Sequence, residues 1–314
     1  MIRTRWFVRI VLCGVFVASA SGFDRWIGLP SGSDGAGRFL DAPVMSADEP
    51  IGPPAGDGGF VTGFALSLTG SDPVQIGATE VILDRLVGLG VTSVALSFPV
   101  VQTGPTASEV QRDANRTPSD ALLRLVVRAA HAQGLTVLLR PLLEQQPSAV
   151  GDNWRGTITL DSPERWFASY GDLVVAYARF AQVERVGSLS VGAEFESMEH
   201  YGVQWRSLIA QVRNVYDGAV TYSYSHRRQD LGFADALDFV GLDAFYPLDA
   251  PDAAGEDALV DHWAPWLEQI SAIRAATRKP VVLTEVGARS VAGSYRQPWR
   301  HADGGTPDEA DQAT

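Results

Sequence analysis

Apolar and polar residues alternate along the middle of this chain in two distinct rhythms. Nearly continuous apolar runs occur at Phe60 to Leu68, Val91 to Phe98, Leu135 to Leu139, Ser188 to Val191, Ala219 to Tyr224, Phe239 to Ala244 and Pro280 to Thr284. Each reads as a strand covered on both faces, because a strand exposed on one side would alternate apolar with polar positions. Between these runs, apolar residues recur every three or four positions, the period of one helix face. Ile76, Leu83, Leu86 and Val87 predict a helix over 76–89, with Gly77 weakening its first turn. Leu122, Leu123, Val126, Val127 and Ala130 predict a second over 119–133. Further helices are expected over 163–183, capped by Asp161 or Ser162, over 201–216 and over 257–276.

Strands that alternate with helices pair in parallel, since the crossover helix returns the chain to the same edge. Seven such units in order predict an α/β fold of the (β/α)8 TIM-barrel type rather than an open doubly wound sheet. No glycine-rich phosphate loop follows the first strand, so a dinucleotide site is unsupported. Only 29 residues follow Glu285 (314 − 285), and 297–314 carries neither strand nor helix pattern. Strand eight is therefore not evident, and the barrel is expected to be incomplete at the C-terminus, or the sequence to continue beyond residue 314.

The ends differ from the middle. Arg3, Arg5 and Arg9 precede an apolar run, Ile10 to Ala18, far short of the ~20 residues that span a bilayer. With Ala18-Ser19-Ala20 after it, 1–20 reads as a secretory signal cleaved after Ala20. Residues 21–58 read as a flexible lead-in rich in Gly, Pro, Ser and Asp, residues 59–290 as the barrel domain, and 291–314 as a polar tail. The expected location is outside the cytoplasm, secreted or periplasmic, with no stable membrane insertion after cleavage. The one cysteine, Cys13, lies in the signal, so the mature chain has no disulfide, thiol nucleophile or thiolate metal site.

A net charge of −12 argues against nucleic acid as a partner, because its phosphates would be repelled. It is compatible with a polysaccharide or oligosaccharide. Catalytic side chains of a parallel barrel sit at the C-terminal ends of its strands. Those positions hold Arg140, Glu194, Tyr222 or Tyr224, Asp243 to Tyr246, and Glu285. Two glutamates that directly follow apolar strands stand out, since a buried carboxylate is costly without a purpose. A carboxylate pair can hydrolyse a glycoside, one group protonating the leaving oxygen and the other attacking the anomeric carbon. The competing account of Glu194 is a structural salt bridge with Arg140. Glu196, Glu199 and His200 lack a second histidine at ligand spacing, so no metal site and no cofactor are expected.

Arg140-Pro141, Asn153-Trp154-Arg155-Gly156, Trp166-Phe167-Ala168-Ser169-Tyr170 and Val191-Gly192-Ala193-Glu194-Phe195-Glu196-Ser197 form an ordered set of motifs. Gly218 to Ser223, Ala236 to Gly241, Tyr246-Pro247-Leu248 and Leu283 to Ser290 continue it. In this order and spacing, from about Gly63 to Trp299, the chain resembles glycoside hydrolase family 113, the β-mannanase family. The resemblance implies retaining hydrolysis of a β-linked glycan such as β-mannan, with Glu194 as acid/base and Glu285 as nucleophile. The sequence departs from the family pattern at Ser225-His226, where Asn-Trp is expected, and at Phe245, where a second tyrosine is common. Around the two glutamates, Trp154 is placed to stack on a sugar ring, beside Asn153. Arg140 is placed to keep Glu285 ionised, Tyr246 to donate a hydrogen bond to it, and Glu196 to contact sugar. Trp166, in mid-helix, is expected in the core. The alternative is a catalytically weak carbohydrate-binding barrel, or an accessory protein in polysaccharide export.

Overall fold

A computed structural model describes residues 61–70, 74–146, 154–227, 230–251 and 254–300, together with Val15–Phe16 and Pro307. The expected signal over 1–20 and lead-in over 21–58 otherwise lie outside the described residues, as do Asn153 and most of 301–314.

Seven strands form one parallel sheet in sequence order: β1 (Gly63–Ser67), β2 (Ser93–Gln102), β3 (Thr136–Gln145), β4 (Ser188–Ala193), β5 (Ala219–Ser225), β6 (Phe239–Asp243) and β7 (Val281–Glu285). Val15–Phe16 pairs in parallel with Ala65 and Leu66 on the outer edge of β1. Val110–Gln111 returns antiparallel against the end of β2. Five helices connect the strands: α1 (Val74–Gly88), α2 (Asp120–Ala132), α3 (Pro163–Val183), α4 (Gly202–Arg213) and α5 (Glu256–Thr277). Among the described residues, a 3-10 turn, Ala234–Ala236, stands between β5 and β6 where a full repeat would carry a helix. Among the described residues β7 has no strand on its far side, so the sheet is a TIM barrel left open where strand eight would stand.

The predicted faces are the buried ones. Leu122, Leu123, Val126, Val127 and Ala130 of α2 pack inward, and the Ser119 hydroxyl caps the helix by accepting from the Leu122 N–H at 3.2 Å. The apolar runs of the strands are shielded on both sides, with Val94, Leu96, Leu139, Leu189, Val220, Val240 and Leu283 in one core. Trp166 is fully buried and donates its indole N–H to Gln102 at 2.8 Å.

Two strands outrun their predicted ends. β2 passes through Pro99 and β3 through Pro141, and they stay paired from Ser93↔Thr136 to Gln102↔Gln145. The β4 side of β3 releases after Leu139. Pro141 thus lies where that edge demands no ladder N–H, which is how a strand carries proline. This extension keeps Arg140 inside a strand rather than in a loop. The pairing slips between Ser190 and Ala193 in β4 and between Leu242 and Asp243 in β6. Such irregularities re-aim the side chains that follow them, and here those are Glu194, Asp243 and Glu285.

Among the described residues no helix is long and apolar enough to cross a membrane.

Candidate active site

Glu194 directly follows β4 and adopts φ 55°, the left-handed region that a glutamate occupies only when its surroundings impose it. Four contacts impose it. Its own N–H donates to the Ser223 carbonyl at 2.8 Å. The next N–H, of Phe195, donates to the Tyr222 hydroxyl at 2.8 Å. The Phe195 ring is fully buried against Trp166, Tyr170 and Trp205. Gly192 completes the turn, since a Cβ there would lie 2.9 Å from the Tyr222 ring and 3.0 Å from Phe195.

The Glu194 carboxylate receives two donors on one oxygen. Arg155 Nη1 lies 2.8 Å from Oε2 and the Trp154 indole nitrogen 3.3 Å from the same atom. Arg155 is itself held by a bond from Nε to the Leu143 carbonyl at 2.9 Å. Oε1 accepts no hydrogen bond among the described residues.

Glu285 ends β7, and its Oε1 pairs with Arg140 Nη1. The other arm of the same guanidinium, Nη2, pairs with Asp243 at 2.7 Å, and Asp243 also accepts from the Thr284 hydroxyl at 2.8 Å. Arg140 and Asp243 are fully buried, whereas the side chains of Glu285 and Glu194 are 15% and 12% exposed. The buried Arg140–Asp243 pair thus supports Glu285, and the part-exposed Arg155 supports Glu194. Burial alone would lower the Arg140 pKa, but the charges of Asp243 and Glu285 outweigh it, and the guanidinium stays ionised. Burial pushes the Asp243 carboxyl well up against the pull of Arg140, and the charges of Glu285 and Glu194 push it the same way.

Arg140 pairs with Glu285 and Asp243, so a structural bridge from Arg140 to Glu194 is not formed. The expected bond from Tyr246 to Glu285 is not made either. The Tyr246 ring is buried, stacked on Trp266 at 4.6 Å and edge-on to Trp263, and its hydroxyl has no partner among the described residues. Trp154 stands beside Glu194, but its ring carries the Arg227 guanidinium at 5.0 Å, so that face is already covered. Glu196 opens the short 3-10 turn Glu196–Met198 and accepts from the Ser225 hydroxyl, one strand away from Glu194. Ser225 and His226, which depart from the family pattern, therefore lie at the site. Asn153 lies outside the described residues.

Several residues that the sequence reading left without a role belong here. Asp243 was legible as a strand-end acid, but its pairing was not. Arg155 and Arg227 follow no periodicity, and the only prior sign of Trp299 was its place at the end of the matched stretch. Residues 291–300 are not a free tail. Tyr295 packs with Leu248, Ala250 and Ala254, and Trp299 stacks on His226 at 5.1 Å.

Behind Glu194 sits a buried acid, Glu199, which accepts from the Tyr222 hydroxyl at 3.2 Å and the Asp230 N–H at 2.8 Å. Burial raises its pKa from 4.5 to about 8, with the hydrogen bonds opposing and Glu196 adding to the rise. The folded state thus keeps a proton that the unfolded chain has released, so stability should fall as pH rises from about 4.5 to about 8. The loss is on the order of several kcal/mol. Urea midpoints at pH 5 and pH 8.5 should show it, and Glu199→Gln should flatten the slope. An equal slope in parent and variant would rule Glu199 out as its source.

An unclosed parallel α/β barrel with two arginine-held glutamates at the ends of its fourth and seventh strands is the frame of a glycoside hydrolase. Residues 75–314 match the sequence profile of Glycoside Hydrolase Family 113, and the chain belongs to that family. The structure is similar to that of the GH113 β-mannanase of Alicyclobacillus acidocaldarius, with 28% identity and TM-score 0.71, covering 80% of this chain and 78% of that one. It is also similar to a GH113 β-1,4-mannanase, with 26% identity, TM-score 0.70 and 81% of each chain covered. No curated protein sequence matches.

Proposed function

We propose that this chain hydrolyses a β-linked mannan with retention of configuration, Glu285 acting as nucleophile and Glu194 as acid/base. The observation that carries the reading is the paired clamp: each glutamate ends a strand, gives one oxygen to its own arginine and leaves the other unbonded among the described residues. Glu285 Oε2 attacks the anomeric carbon while the glycosidic C–O bond breaks, and Glu194 Oε1 delivers its proton to the departing oxygen. Water then attacks the same carbon, Glu194 takes a proton from it, and Glu285 leaves as carboxylate. The similar structures are of β-mannanases, which makes mannan the first substrate to try. Trp154, Asn153, Tyr246 and Glu196 are the proposed substrate-side residues, with Arg140 acting on the substrate through Glu285.

Removing the acid should separate leaving groups. Glu194→Ala should lose about 10²- to 10⁴-fold on mannan and much less on aryl β-mannosides, whose leaving groups need no proton. Azide should restore its turnover and yield a β-mannosyl azide, because the emptied space beside the glycosyl-enzyme admits a small anion. An α-azide, or a Glu194→Ala variant as active on mannan as its parent, refutes the assignment.

The Arg155–Glu194 pair also supports a second reading, a carbohydrate-binding barrel with little turnover. A parent that binds mannotetraose but cleaves neither mannan nor aryl β-mannosides would establish it.

We further propose that the protein is exported and cleaved after Ala20. The intact mass of secreted material should correspond to a chain beginning at Ser21, and a mass that retains Met1 would count against cleavage.

A further inference from the structure

We propose that the mouth of the site holds a subsite for an acidic sugar, one bearing a carboxylate, bound by Arg227 beside Glu194. This rests on the glycosidase reading above. The Arg227 guanidinium is exposed and sits between two indoles, 5.0 Å from the Trp154 ring and 5.8 Å from that of Trp299. Its backbone N–H is tied to the Ser225 hydroxyl at 3.0 Å. Stacking holds the guanidinium in place and strips part of its water, while leaving the N–H edge of the fork open. Arg140, Arg155, Arg206 and Arg213 each pair with a carboxylate. Arg227 has no such partner among the described residues, in a chain of net charge −12 where acids are plentiful.

The position fixes what the charge would meet. Trp154 separates Arg227 from the acid/base by one indole, with its ring under the guanidinium and its N–H on Glu194. A group held by Arg227 therefore belongs to a sugar next to the bond being cleaved. A neutral mannan would offer this guanidinium only hydroxyl oxygens, with no charge to balance its own. A carboxylate matches its planar fork with two parallel bonds.

An independent observation marks the same place as a ligand site. His226 is 9% exposed, stacks on Trp299 at 5.1 Å and keeps Nδ1 buried with no partner among the described residues. Next to it, with ring centres 6.2 Å apart, the Tyr246 hydroxyl is likewise buried and unpaired among the described residues. Buried polar atoms left without partners are uncommon, and hydroxyls of a bound sugar would satisfy these two. Burial, and then the charge of Arg227, hold His226 down to about 4, so it meets a ligand as a neutral donor and Arg227 supplies the charge.

Calorimetry on the full chain carrying Glu285→Gln, which cannot cleave its ligand, tests this with mannotetraose and with mannotetraose oxidised to carboxylate at C6. The oxidised probe should bind about tenfold more tightly at low salt, with the advantage shrinking as salt screens the pair. Adding Arg227→Gln should erase the difference between the two probes, whatever it does to mannotetraose affinity itself, and Arg227→Lys should keep part of it. A 6-sulfated probe should gain less than the carboxylate, and an equal gain would overturn the carboxylate assignment. Equal binding of neutral and oxidised probes, or an advantage that survives Arg227→Gln, would overturn the inference and leave the mannan reading standing. Binding of neither probe would overturn both.

Discussion

Replacing Glu285 by alanine should lower kcat on mannan and on aryl β-mannosides alike, by roughly 10⁴- to 10⁶-fold. The loss should not depend on the leaving group, which separates it from the loss in Glu194→Ala. Covalent attack needs an oxygen beside the anomeric carbon. Glu285 offers one because Arg140 ties down only Oε1. No neighbour can substitute: Asp243 is fully buried behind the same guanidinium, with both of its oxygens engaged by Arg140 and Thr284. The fold should survive the change, because Glu285 lies at a strand end and Arg140 keeps Asp243 as a partner. Initial rates of parent and variant on p-nitrophenyl β-mannoside, with circular dichroism to verify folding, decide the matter. A folded Glu285→Ala variant within tenfold of the parent would sink the nucleophile assignment.

Arg140→Met should destabilise the protein by about 3–5 kcal/mol, the usual cost of removing one partner from a buried ion pair. Both arms of the guanidinium are engaged, by Asp243 at 2.7 Å and by Glu285. Without it, Asp243 is a carboxyl in the core with only the Thr284 hydroxyl to meet it. The remedy distinguishes an uncompensated acid from a mere packing defect. Arg140→Met combined with Asp243→Asn should recover part of the loss, because the amide carries no charge to strand. Urea unfolding of the two variants measures this directly. A single variant that loses less than about 1 kcal/mol, or a double variant no more stable than the single, would show that the buried pair does not support the sheet as described.

How much of this could be read beforehand differs from residue to residue. The strands and helices were legible because burial on one face or two imposes a period on nearby residues. Leu122, Leu123, Val126, Val127 and Ala130 announce the inner face of α2 whatever lies across from it. Glu194 and Glu285 were legible for the same local reason, each an acid ending an apolar run. The far ends of β2 and β3 were not, because Pro99 and Pro141 look like strand stops. Whether proline ends a strand depends on whether the neighbouring edge requires its missing N–H.

The pairings around the glutamates belong to the tertiary structure alone. Arg140 reaches partners 103 and 145 residues away, on strands that are not its neighbours in the sheet. Only the curl of the sheet brings β3, β6 and β7 together, and no feature local to Arg140 distinguishes Glu285 from Glu194 as its mate. The turn at Glu194 is likewise decided at a distance, by Ser223, Tyr222 and the aromatic cluster around Phe195. Trp154 was legible as an aromatic ring near the site. That it lends its N–H to Glu194 and its face to Arg227 depends on where two loops meet, and loop meetings leave no period in a sequence because they bury too few consecutive residues to impose one.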